Sequence, residues 1–63
     1  MGMKTVNYII AITAEADEAI RKLTHAIPCW VNIFPIDDDY AEVEIRCMNE
    51  NVAYVERMLA EFV

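Results

Sequence analysis

Serine is absent from this 63-residue chain, and glycine occurs once, at Gly2. These absences exclude a serine nucleophile, a phosphate-cradling loop and a dinucleotide fingerprint. Two cysteines and one histidine are too few for the disulfide framework or metal cluster that staples many small domains. No run of about eighteen apolar residues is present, so no membrane-spanning helix is expected. The N-terminus lacks the charged start, apolar run and small-residue cleavage site of a signal peptide. Val6 stands where N-myristoylation wants Ser or Thr. A cytoplasmic location is the expectation. Met1 and Gly2 ahead of Met3 read as an artificial extension, which leaves a single domain over 3–63.

What is present is acidic and apolar. Eleven Asp and Glu against five Lys and Arg give a formal charge of −6, which repels phosphate backbones and anionic lipid head groups. Direct nucleic-acid binding is disfavoured, and a basic protein partner is favoured, including one whose groove normally holds phosphates. The hydrophobic fraction of 57% exceeds the roughly 45–50% of ordinary domains. A chain this short buries only about 60% of its unfolded surface, so apolar surface is left over and stability is marginal. Oligomerisation is the common remedy still open.

Periodicity divides the chain into five elements without a linker, repeat or low-complexity tract. Residues 5–12, TVNYIIAI, read as a strand with Val6, Tyr8, Ile10 and Ile12 on one face. Thr13 is a plausible N-cap, with Glu15, Asp17 and Glu18 at the positive end of the helix dipole. Ala16, Ala19, Ile20, Leu23 and Ile27 then form an apolar stripe, Asp17–Arg21 and Glu18–Lys22 are ion pairs at i,i+4, and Pro28 ends the helix. Residues 29–34, CWVNIF, read as a second strand with Cys29, Val31 and Ile33 facing inward and Trp30, Asn32 and Phe34 outward. After a connection over 35–39, Ala41, Val43, Ile45 and Cys47 alternate with Tyr40, Glu42, Glu44, Arg46 and Met48, a strand with one buried and one wet face. Asn49 is the expected cap of a second helix carrying Val52, Val55, Leu59 and Phe62.

The implied fold is α+β, a two-layer βαββα arrangement with both helices on one face of a three-stranded antiparallel sheet of order 1-3-2. This order resembles a ferredoxin-like or ACT-like domain lacking its last strand. The resemblance is topological and rests on no residue motif. It implies that strand one, with Val6, Tyr8 and Ile10, keeps an unpaired edge open to self-association.

The face of the sheet away from the helices is the leading candidate site. Ile9, Trp30, Phe34, Tyr40 and Met48 fall there among Asn32, Glu42, Glu44 and Arg46, the mixture of large apolar anchors and polar rim typical of an interface. The alternatives are that these side chains merely cover one another, or that strand two faces the other way. Asp37, Asp38 and Asp39 could meet a basic groove, yet Asp also suits a solvated turn, and the spaced ligands of a calcium loop are missing. Cys29 and Cys47 both point inward and, in a hairpin centred near Asp37, are diagonal neighbours, read as buried thiols rather than a disulfide. His25 closes the first helix, where the dipole favours a cation, and it lacks an orienting partner. Glu42 and Glu44 with Arg46 beside them read as a wet face rather than an acid–base pair.

The sequence therefore points to a non-enzymatic protein-binding module without cofactor or metal. It would be an inhibitor or regulator of a larger protein, with Trp30, Phe34 and Tyr40 as anchors and Asp37, Asp38, Asp39, Glu42 and Glu44 as charged rim. In the sharper form the acids imitate nucleic-acid phosphates. Small acidic anti-restriction and anti-CRISPR inhibitors from bacteriophages are similar in bulk composition. The alternative is an ACT-like homodimeric sensor that binds a small molecule.

Overall fold

The computed structural model describes residues 2–63 and arranges them as β1 (Met3–Ala11), α1 (Ala14–Ala26), β2 (Cys29–Pro35), β3 (Tyr40–Met48) and α2 (Val52–Leu59). The sheet is antiparallel with order β1-β3-β2. The core draws Ile10 from β1, Val43, Ile45 and Cys47 from β3, Ala16 and Leu23 from α1, and Val55 and Leu59 from α2. The register sets even-numbered β1 residues opposite odd-numbered β3 residues, so Ile10 lies on the same face as Val43, Ile45 and Cys47, and both helices cover that face, as the alternation predicts.

Local chemistry starts and stops α1 where expected. Thr13 Oγ1 accepts the Ala16 amide at 3.1 Å, a side-chain cap on an otherwise unpaired donor. At the other end the Ile27 amide donates to the Leu23 carbonyl at 3.2 Å, and Pro28 cannot continue the ladder. Arg21–Asp17 at 3.0 Å and Lys22–Glu18 at 3.7 Å form on the wet side. Both pairs are exposed and contribute little stability.

The second helix departs from expectation at both ends. Asn49 does not cap it: the Asn49 amide donates to the Gly2 carbonyl at 2.9 Å, prolonging the β1/β3 ladder. The chain then turns through a short 3-10 segment, Asn49–Asn51, before α2 begins without a side-chain cap. The α-helix closes at Leu59, and a further 3-10 turn, Ala60–Phe62, carries half-buried Phe62 against the core.

Hydrogen-bond parity decides which main-chain groups each edge offers. Ile12 donates to the Asp39 carbonyl at 2.8 Å and Asn49 to that of Gly2, so the even-numbered residues of β1 are the ones bonded to β3. Val6, Tyr8 and Ile10 therefore spend their main-chain groups inside the sheet. The free edge belongs to Met3, Thr5, Asn7, Ile9 and Ala11. On the other side Ile36 donates to Tyr40 at 2.9 Å, which makes the odd residues of β2 the outward ones, and the last of these, Pro35, has no N–H.

Two residues expected inside are not. Ile12 lies beyond the end of β1 and is 55% exposed, and Ile33 is 49% exposed although its side chain points to the helix layer. The reason is the path of α1, which begins beside the end of β1 and finishes at the start of β2. It leaves the hairpin half of β2 uncovered.

A candidate protein-binding face on the open side of the sheet

The face without helices is built in cross-strand rows. Ile9, Glu42 and Phe34 make one row, Asn7, Glu44 and Asn32 the next, and Thr5, Arg46 and Trp30 the third. Central β3 supplies the charged column, while β1 and β2 supply the flanks. Trp30 is 64% exposed, Phe34 51% and Ile9 50%, with Tyr40 comparably open at the hairpin end. Strand two thus has the expected orientation, and the large apolar side chains do not bury one another.

The proposed anchors form two groups rather than one cluster. Phe34, Tyr40 and Glu42 lie at the hairpin end beside the acidic turn. Trp30 is four residues back along β2, about 13 Å away at strand rise, next to Arg46. Glu44 lies between them and accepts a hydrogen bond from Asn32 Nδ2 at 3.3 Å. Arg46 forms no salt bridge among the described residues, so the base beside Trp30 is open to an incoming carboxylate or carbonyl.

The three aspartates are not equivalent. Asp37 Oδ1 accepts the amides of Asp39 and Tyr40, each at 2.8 Å, and holds the turn from within. Asp38 and Asp39 are exposed, with no hydrogen bond to their side chains among the described residues, and their carboxylates are the more available rim. Among the described residues no three His, Cys, Asp or Glu side chains come close enough to hold a metal ion. His25 stands exposed in the last turn of α1.

A second apolar surface escaped the sequence pattern. The gap between α1 and the uncovered end of β2 is a groove of about 240 Å³, lined by Ile10, Ala16, Ile20, Ile33, Pro35 and Val43 among others. Strict alternation assigns Ile33 to the core, and nothing in one dimension says that the helix above it veers away. Pro35-Ile36, an apolar pair at the turn, is the only local hint. The chain matches no protein family, no curated protein and no solved structure. What its surfaces can do follows from their own chemistry.

Ionisation on the covered side is set by burial. Desolvation raises the Cys29 and Cys47 thiols above their ordinary value, and the neighbouring Cys47 raises Cys29 further. Burial also raises the Tyr8 phenol, with Glu56 adding to the shift ahead of Cys47. Neutral thiols are poor nucleophiles and poor metal ligands.

Proposed function

We propose that this chain is a non-enzymatic protein-binding module, an inhibitor or regulator that docks its open sheet face on a larger protein with a basic surface. The observation that carries this reading is the uncovered face itself: Trp30, Phe34, Ile9 and Tyr40 stand exposed around a charged central strand. Large apolar side chains set among hydrogen-bonding groups are what binding hot spots are made of. The net charge of −6 and the exposed acidic turn beside Phe34 favour a basic target, including a groove that otherwise holds nucleic-acid phosphates.

One observation favours a second reading, a small-molecule sensor. The groove between α1 and β2 is apolar and partly enclosed, though its volume of about 240 Å³ is below the roughly 300 Å³ at which ligand sites usually begin. A small apolar ligand held there would raise the melting temperature by mass action.

Capture of partners at low and high salt, followed by binding kinetics, tests the first reading. Replacing Asp37, Asp38 and Asp39 together by Asn keeps the turn acceptor and removes three charges. It should slow association and flatten the salt dependence. Trp30→Ala should instead speed dissociation, at a cost of about 2 kcal/mol or more that salt barely alters. An unchanged salt slope rejects phosphate mimicry. Indifference of every captured partner to both Trp30→Ala and Phe34→Ala rejects the face.

A further inference from the structure

We infer that two copies of the chain join edge to edge through β1, forming a continuous six-stranded sheet of order β2-β3-β1-β1-β3-β2. Pairing through β1 leaves the open face free, whichever partner that face takes. Along the β1–β3 ladder, Met3, Thr5, Asn7, Ile9 and Ala11 direct their N–H and C=O groups outward on one free edge. That edge carries five successive pairs of unspent main-chain groups and no proline. The opposite edge is weaker, because β2 is shorter and its last outward position, Pro35, has no N–H.

Parity and length make β1 complementary to itself. Its central residue is Asn7, an outward-facing one. An antiparallel pairing about a two-fold axis through Asn7 therefore aligns the whole of Met3–Ala11 and brings every outward group opposite an outward group. The axis is perpendicular to the sheet, so the helices of both copies remain on one side. On that side Val6 falls opposite Tyr8 of the partner subunit. Both are only half-buried in the single chain, and each would cover the other.

Charge selects a second copy as the occupant. The chain carries −6, yet β1 contains no carboxylate and one base, Lys4. Two β1 strands can meet without bringing acids to the seam. Full overlap also sets Lys4 diagonal to Tyr8 of the partner subunit, the tyrosine whose own neighbour is Glu56. The seam thus places a base of one copy toward an acid of the other. A chain this small, with exposed apolar surface beyond what its core can bury, also gains from the shared sheet.

The decisive variants exploit the same parity. Asn7→Pro and Thr5→Pro each remove an N–H that bonds no other described residue of the same chain, whereas Tyr8→Pro removes one that bonds β3. Sedimentation velocity over a concentration series should give a dimer for the unaltered chain. Asn7→Pro should weaken it roughly tenfold or more while the circular dichroism of the folded chain persists. Hydrogen exchange of the unaltered chain decides the matter even if a variant fails to fold. The amides of Thr5, Asn7 and Ile9 should exchange fast in dilute solution and slowly when concentrated, while those of Val6, Tyr8 and Ile10 stay protected in both. A monomer at every concentration overturns the inference. So does a dimer whose affinity both proline variants leave unchanged, or odd-numbered amides that exchange fast throughout.

Discussion

Cys29 and Cys47 stand directly opposite each other across β2 and β3, in a pair that exchanges no main-chain hydrogen bond. The hairpin is centred on Asp38, not Asp37, and a shift of one residue at the centre moves every partner by two. The diagonal placement expected from sequence is thereby replaced by the closest cross-strand arrangement, with Cα atoms about 4.5 Å apart in such pairs. That separation is within disulfide reach.

Oxidation is the first expected outcome. Both cysteines are free thiols, Cys47 fully buried. Treatment with diamide should remove one hydrogen from each thiol, reduce the diazene to its hydrazine and form an intramolecular disulfide. The reaction should be slow at neutral pH, because burial keeps both thiols protonated. Stability should rise by about 2–4 kcal/mol. Thiol titration of the unfolded product and its melting curve check this, and disulfide-linked dimers alone would contradict the pairing.

Substitution along β3 reads out its register. Val43 is 2% exposed, whereas Glu44 lies on the open face, where its carboxylate accepts a hydrogen bond from Asn32 Nδ2. Val43→Asp should cost several kcal/mol and unfold so small a domain. Glu44→Ala should stay within about 1 kcal/mol. Denaturant midpoints compare the two.

Within the acidic turn, position matters more than charge. Asp37→Ala removes the acceptor for the Asp39 and Tyr40 amides and should cost about 1 kcal/mol. Asp38→Ala should change the melting temperature little, and Asp37→Asn, which keeps the acceptor, should behave like Asp38→Ala.

Alkaline pH should destabilise the fold. Cys29 and Cys47 are raised above 9.0 and Tyr8 above 10.0 by burial first. The unfolded chain thus ionises at lower pH than the folded one. This stability is complete below the unfolded values and is lost as pH climbs through the folded ones. Melting temperature should fall from about pH 9 upward. Tyr8→Phe should soften the fall at the upper end, and Cys47→Ala at its onset.

The candidate face was legible because β3 alternates strictly. Once Ala41, Val43, Ile45 and Cys47 are inside, Glu42, Glu44 and Arg46 must be outside, and their neighbours Phe34 and Trp30 follow by pairing. That Trp30 sits opposite Arg46 was not legible, since it depends on register: a hairpin centred on Asp37 would set Trp30 opposite Glu44. Asp37's bonds within the turn were equally hidden, because three consecutive aspartates look alike until the backbone says which one curls back.

The sequence by itself determined the βαββα order, the Thr13 cap, the stop at Pro28 and the inward set of β3, because each rests on near neighbours and on periods of two or 3.6. Tertiary structure alone decided three things. The centre of the hairpin set Cys29 against Cys47, a matter of which residues close a turn. The oblique path of α1 exposed Ile33 and opened the groove, a matter of how a helix crosses strands that lie far from it in sequence. The parity of the β1–β3 ladder turned the main-chain groups of Thr5, Asn7 and Ile9, not those of Val6, Tyr8 and Ile10, toward the free edge. Side-chain pattern reports which face a residue occupies, and it is silent on the perpendicular direction in which the backbone forms its bonds.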